Sequence, residues 1–293
     1  MYSAAITKVS QTNASHYPFC LLIPTWNNLA FLQLCIRSIR QNTQQNVQII
    51  VIINEGSDGT LAWVAQQNDI DYIHAPQNIG ICYGLNIARS LIKSDYVMYV
   101  NDDMYLLPNW DTAISEEIKS IGHQQFMLSC TMIEPTHTNN PCVVVRNYGQ
   151  NIAEFDETTL LNEYNTLYRN DWNGSTWPPN IVHLDLWDKV GGLSIEYSPG
   201  MYSDPDFSRK LYEAGVRYFK GKGNSLVYHF GTKTTKRIKK NKGKKTFLLK
   251  WGITARTFMQ QYLAIGKAFS PLPKQVTLST STRLINRIKQ LLA

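Results

Sequence analysis

Val47-Gln-Ile-Ile-Val-Ile-Ile53, followed at once by Asn54-Glu55-Gly56-Ser57-Asp58-Gly59-Thr60, decides the fold. The first run is apolar on both faces, as central strands of parallel sheets are. The second is a strand-to-helix loop. Its glycines let the backbone approach a ligand, and a helix N-terminus favours phosphate; an ordinary turn between strand and helix has the same form. Upstream, Phe19-Cys-Leu-Leu-Ile23 is a short buried strand ended by Pro24, and Leu32, Cys35, Ile36 and Ile39 share one face of a helix. Downstream, helix signals at 60–67, 82–92 and 110–120 alternate with strand signals at 72–74, 96–100 and 126–133. This order predicts an α/β fold with a mainly parallel sheet and right-handed crossovers. Functional residues belong just past the carboxyl ends of its strands. From Asn139 to Trp177 the pattern weakens and assigns nothing. Beyond it come short helices at 184–190 and 204–214, a strand at 225–228, a helical stretch at 247–265 and an amphipathic basic helix at 283–292.

The chain has 293 residues, 43% hydrophobic and 17% charged, which suits one large α/β domain with a small appendage and excludes wholesale disorder. Its first apolar run is far short of the roughly 20 residues that span a bilayer, and the start lacks the pattern of a signal peptide. Cys20, Cys35, Cys82, Cys130 and Cys142 form no Cys-x-x-Cys pair and read as reduced core residues of a cytoplasmic protein. Charge is divided sharply. Glu213 is the last acidic residue; the 22 carboxylates up to and including it stand against 11 Lys and Arg, and 18 Lys and Arg follow it. An acidic body can hold a divalent cation, and a basic end suggests an anionic partner.

Chemistry concentrates at Tyr99-Val100-Asn101-Asp102-Asp103-Met104, where two carboxylates and an amide follow a hydrophobic strand directly. Their oxygens suit Mg²⁺ or Mn²⁺. Such a cation keeps open positions for diphosphate oxygens and neutralises a leaving nucleotide. The same residues also serve simply to end a strand and begin a turn.

Six segments, in order, resemble the family 2 glycosyltransferases, whose nucleotide-sugar-binding, Rossmann-like fold is called GT-A. Pro24-Thr25-Trp26-Asn27 resembles the opening strand-end motif, and Ile53 to Thr60 the second motif. Asn78-Ile-Gly80-Ile-Cys-Tyr-Gly84-Leu-Asn86 resembles the segment before the metal motif, and Asn101-Asp102-Asp103 the metal motif itself. Gly191-Gly192-Leu193 with Ser203-Asp204-Pro205-Asp206 resembles the region of the catalytic base, and His229-Phe230-Gly231 the late histidine motif. The resemblance covers roughly Phe19 to Gly231. It implies a GT-A domain over 1–231, with a donor half at about 19–135 and an acceptor half at about 136–231, then a basic, partly helical extension over 232–293.

The resemblance also implies roles. Pro24, Thr25 and Asn27 border the base or ribose, and the second-motif acid contacts the base. Asn54-Glu55 replaces the usual Asp-Asp, so the nucleotide stays open, with UDP expected first. Asn78, Gly80 and Asn86 belong with the donor. Asp103 is the metal ligand and His229 completes the site. Asn101 holds the sugar or the metal's water, and Asp102 faces ribose or sugar. Asp204 matches the base of an inverting transfer; Asp206 competes with it, and both equally read as helix-capping acids. The Glu that precedes the base in the family is Ser203 here. Trp172, Trp177, Pro178 and Pro179 flank the region where acceptors bind in similar proteins, and also read as core. Arg209 and Lys210 read as diphosphate holders or as solvated helix charges.

The expected function is transfer of a sugar from a nucleoside-diphosphate donor to a hydroxyl of a glycan, lipid-linked glycan or protein. The basic run from Lys233 to Lys245 suits either a loop over the diphosphate or peripheral contact with the inner face of an anionic membrane. Nucleic acid is not an expected partner. The aromatic-rich C-terminal part is compatible with a homodimer contact. The alternative is an inactive GT-A-like module or a tail-led membrane or nucleic-acid binder. Deletion after about Arg237 is expected to abolish a tail-led function and to spare donor binding by an enzyme.

Overall fold

In the computed structural model, residues 5–231 and 241–293 are described, so Lys233 to Lys240 of the basic run lie outside them. The strands are β1 (Thr7–Val9), β2 (Tyr17–Trp26), β3 (Gln48–Asn54), β4 (Ile70–Ala75), β5 (Ser94–Tyr99), β6 (Met104–Leu106), β7 (Phe126–Glu134), β8 (Val144–Val145), β9 (Trp172–Asn173), β10 (Asn180–His183) and β11 (Tyr218–His229). The helices are α1 (Leu29–Asn42), α2 (Thr60–Ala65), α3 (Ile81–Ala88), α4 (Trp110–Ile121), α5 (Glu157–Glu163), α6 (Leu184–Val190), α7 (Ser203–Glu213), α8 (Gly243–Trp251), α9 (Ala255–Thr257) and α10 (Thr280–Leu291).

One sheet runs in the order β1-β4-β3-β2-β5-β10-β7-β11-β6, with β8 beside β7 and β9 beside β11. The pairs β2–β3, β3–β4, β2–β5 and β7–β11 are parallel. The core is the mainly parallel sheet expected. Strand β10, antiparallel to both β5 and β7, closes the gap between its two halves.

Alternation along β2 and β3 sends Leu21, Ile23, Val51 and Ile53 to one face, where they meet Leu32 and Ile36 of α1 and Trp110 and Ile114 of α4. Cys20, Leu22, Ile50 and Ile52 go to the other, against Leu85 of α3, Trp187 of α6 and Phe207 and Leu211 of α7. Burial on two sides explains the unbroken apolar run in β3. All five cysteines are buried and unpaired. Among the described residues, no helix is long and apolar enough to cross a membrane.

The C-terminal part is partly helical, as expected, and packs onto the body. Phe247, Phe258, Leu263 and Leu272 are buried in the same cluster as α7. The single helix expected at 247–265 is interrupted at Gly252, which takes φ +70°, and resumes as α9 and a π-helical turn at Phe258–Tyr262. Arg209 lies over the rings of Tyr212, Trp251, Phe258 and Tyr262 and pairs with Glu213. Lys210 donates to the carbonyls of Val190 and Gly192. Both cations therefore hold helices together and neither lines the main cavity. Phe258 and Tyr262, in the aromatic-rich C-terminal part, pack edge-on against Tyr212 of the same chain.

Candidate active site

The chain lays β3 and β4 to one side of β2 and β5 to the other, which opens a crevice beyond the carboxyl ends of β2 and β5. Pro24 lies past the last β2–β5 pair, Leu22 with Tyr99. It is tolerated there because the strand has become an edge on that side. A cavity of about 700 Å³ occupies the crevice. Pro24, Thr25, Asn54, Asn78, Gly80, Asn101, Asp102, Asp103, Asp204 and His229 line it; Asn27, Glu55, Asn86 and Asp206 do not.

The four outside it have other work. Asn27 and Glu55 both take left-handed backbone angles, φ 47° and 62°. Asn27 donates to the Glu55 carboxylate at 3.0 Å and accepts from the Ser57 amide at 2.9 Å. This pair braces two strand-end loops. Asn86 donates to the Leu193 carbonyl at 2.7 Å and accepts from the Leu193 amide at 2.8 Å, pinning the Gly191-Gly192-Leu193 turn.

Asn54 shows why an amide stands where an acid was expected. Its Oδ1 accepts from the Ile79 amide at 2.9 Å, and its Nδ2 donates to the Thr25 carbonyl at 3.3 Å. An aspartate has no donor for Thr25, so the swap ties three cavity segments together. Gly80 sits at φ +76°, and a Cβ there would come 3.0 Å from Cα of Pro199, another wall residue. Only glycine suits that close approach in a left-handed conformation.

The metal-motif residues face the same space. Asp103 is buried, and its Oδ1 lies 3.5 Å from Nε2 of His229. Nδ1 of His229 lies 2.9 Å from Oε1 of Glu134, whose other oxygen, Oε2, accepts from Thr138 at 2.7 Å. Burial opposes charge on the imidazole, but Asp103 and Glu134 outweigh it and raise its pKa to about 10. Burial first, then the charge of Asp103, pushes Asp102 up to about 7, against the pull of nearby Thr25 and Asn28.

Among the described residues, no three His, Cys, Asp or Glu side chains converge as a complete metal site. The Asp103–His229 pair nevertheless fits a hard or borderline cation. One oxygen and one ring nitrogen converge, and a carboxylate on the far nitrogen fixes the ring. Glu134 was not among the expected residues. Its signal is its place, directly after the apolar Phe126–Ile133 run, the same strand-end position that marks Asp103.

Asp204 and Asp206 part company on α7. Two residues are about 200° apart around a helix, so the two carboxyls point to opposite sides. Asp204 lines the cavity, where burial pushes it up to about 7. Asp206 is 0% exposed. It accepts from Ser194 at 2.6 Å and from Trp251 Nε1 at 2.7 Å, and pairs with Lys250 at 3.0 Å. It is thus an anchor for α8. Asp206→Ala is expected to cost about 3 kcal/mol, as removal of one partner of a buried ion pair does. Chemical denaturation measures this, and nucleotide affinity of the folded variant should match wild type. Ser203 is buried and donates to the Gly200 carbonyl at 2.6 Å, a local bond at the helix start.

Of the aromatic candidates, Trp172 is core. Its Nε1 donates to Thr131 at 2.8 Å and its ring covers Gly221, where a Cβ would lie 1.9 Å from it. Trp177 and Pro178 line the cavity. Tyr99 also lines it, and its phenol is raised well above 10 by burial and by the charges of Asp204, Asp102 and Asp103.

The sequence model of the family described as Glycosyl transferase family 2 matches residues 20–174. A curated relative, glycosyltransferase GlyG of Streptococcus pneumoniae, is 22% identical over 103 residues, which is 34% of either chain. The chain thus spans about a third of that relative's length. Among solved structures, S. aureus TarS 1-349 in complex with UDP-GlcNAc superposes with TM-score 0.59 at 11% identity, covering 94% of this chain and 71% of that one. GalNAc-T7 with UDP, GalNAc and Mn²⁺ superposes with TM-score 0.57 at 9% identity, covering 84% of this chain and 51% of that one. At these identities the superpositions speak to the fold, which is GT-A.

Proposed function

The chain belongs to glycosyl transferase family 2, and from that premise we propose that it moves a sugar from a nucleoside-diphosphate donor to a hydroxyl acceptor with inversion. The supporting observation is that one cavity unites the Asp103–His229 pair with the half-buried Asp204. UDP is the first nucleotide to test, since the two structural neighbours named above carry it in their descriptions.

In this mechanism Asp103 and His229 would hold a Mn²⁺ or Mg²⁺ ion, which, when bound, supplies charge neutralisation for the diphosphate. Glu134 orients His229. Asn54 and Asn78 shape the nucleotide wall, and Asn101 and Asp102 face the ribose and sugar. Asp204 accepts the proton of the acceptor hydroxyl as its oxygen bonds to the anomeric carbon. The bond from that carbon to the diphosphate oxygen breaks, and the nucleoside diphosphate leaves. Trp177 and Pro178 offer an apolar wall for a sugar ring. The acceptor is a glycan, lipid-linked glycan or protein.

The buried, unpaired thiols support a reducing, cytoplasmic setting. The basic residues after Glu213 support peripheral contact with an anionic membrane surface. A binding-only module has less support, because the departures at Asn54 and Ser203 have local structural explanations. Calorimetric titration of UDP, GDP and dTDP, each with and without Mn²⁺, tests the proposal. One nucleotide should bind in a metal-dependent way. Failure of all three under both conditions would remove the donor site.

A further inference from the structure

We propose that a basic, apolar-floored groove beside the cavity binds the phosphate and the adjoining hydrocarbon of an amphiphilic acceptor, so that the acceptor sugar is carried on a lipid phosphate. The proposal rests on the transferase reading above and narrows its acceptor class.

The groove has a volume of about 620 Å³ and lies between α8 and the end of α10. Lys242, Lys244, Lys245 and Lys289 line it, and no Asp or Glu side chain does. All four lysines are exposed, and among the described residues none has a carboxylate partner within ion-pair distance. Leu248 and Leu292 line it as well, so cationic and apolar surface are presented together. A free inorganic anion uses only the first of these. A neutral hydrocarbon uses only the second. An amphiphile with a phosphate head uses both.

Helix α10 extends the apolar part. Leu284, Ile285, Ile288, Leu291 and Leu292 are 58%, 51%, 47%, 80% and 82% exposed. Their spacing places them on one stripe of the helix. The opposite side is the anchored one. Asn286 is buried, accepts from the Thr254 amide at 2.9 Å and donates to the Thr282 carbonyl at 2.9 Å. The helix therefore turns its polar side inward and its aliphatic side outward, and Leu292 joins that stripe to the groove. A second copy of the chain is a poor occupant. A two-fold contact here would oppose Arg283, Arg287 and Lys289 to the same residues, and like charges facing each other cost affinity.

The groove also adjoins the chemistry. Met201 lines both it and the cavity that holds Asp204. Asn241 fixes this shared wall by donating to the carbonyls of Tyr197 at 2.6 Å and Met201 at 3.1 Å. A phosphate held by the lysines thus leaves the sugar attached to it next to Met201, on the side of Asp204.

Octyl phosphate below its micelle concentration, inorganic phosphate and octanol are the probes, titrated against the full chain. Octyl phosphate should bind at least tenfold more tightly than either of the others. The variant Lys242→Gln/Lys245→Gln/Lys289→Gln, altered only at exposed positions, should lose at least tenfold of that affinity and keep wild-type binding of UDP with Mn²⁺. Equal affinity for inorganic phosphate, or an unchanged octyl phosphate affinity in the variant, overturns the proposal. So does a dimer in sedimentation that Leu291→Asp dissolves, because the stripe then belongs to a second copy. Octyl phosphate binding that passes both tests upholds the groove whatever the UDP titration gives, so a failed donor site is told apart from a failed acceptor site.

Discussion

Asp204→Asn is expected to lower kcat by about 10²–10⁴-fold, the range for loss of a general base. Nucleotide affinity in the presence of Mn²⁺ should stay at the wild-type value. The variant keeps the shape and polarity of the side chain and removes only its basicity, so the loss reports proton transfer. The pH profile supplies an independent readout. Burial raises Asp204 to about 7, and the base works only as the carboxylate. Activity should therefore be full above that value and fall as pH drops through it, with the slope of one proton. The acid limb should vanish from the residual activity of Asp204→Asn. If the limb survives unchanged in that variant, another group titrates, and Asp102, also near 7, becomes the one to replace. If kcat is unaltered, Asp204 is not the base.

Asp103→Ala is expected to lower Mn²⁺-dependent affinity for the nucleoside diphosphate by about 100-fold or more, because it removes the oxygen ligand of the proposed metal site. Affinity measured without metal should not change. Glu134→Gln is the graded companion. It leaves both ligands in place and weakens only the orientation of His229, so a loss of about 10–100-fold is expected, as for other outer-shell partners of metal-bound histidines. Titrations of the nucleotide at fixed Mn²⁺, and of Mn²⁺ at fixed nucleotide, separate the two effects. An Asp103→Ala protein that still binds nucleotide only with Mn²⁺, at wild-type affinity, would place the metal elsewhere.

What could be read from the sequence follows the range of the interactions involved. Strands β2, β3 and β5 are legible because burial on both faces demands an unbroken apolar run, and local pattern reports that directly. Strand β10 is not. It is four residues long, polar at both ends, and gains its place only from β5 and β7 on either side. The first half of β11 hides for a different reason. Lys220, Gly221, Lys222 and Gly223 look like a loop, but Lys220 and Lys222 are paired with Glu117 and Asp171 from distant parts of the chain.

At the site, Asp103, His229 and Asp204 lie at strand and helix ends that the motif spacing marks. The separation of Asp204 from Asp206 was implicit in helical phase. Its cause, the pairing of Asp206 with Lys250 and Trp251, lies more than forty residues away. Arg209 is the same kind of case. Its cation reads as solvated or anion-binding until the aromatic side chains that surround it are brought in by α8, α9 and the turn that follows.

Those long-range ties bear on how such chains can be recombined. Asn241 holds the loop that carries Met201, Lys250 and Trp251 hold Asp206, and Phe247 and Phe258 fill the core against α7. A truncation after Arg237 removes all of them, so loss of activity in such a fragment says nothing about whether the basic segment binds a partner. For the same reason an exchange of residues 1–231 alone between relatives is expected to break these ties. The unit of exchange has to run on through Leu272, because the residues beyond 240 brace the elements that line the cavity and are not a handle hung on them.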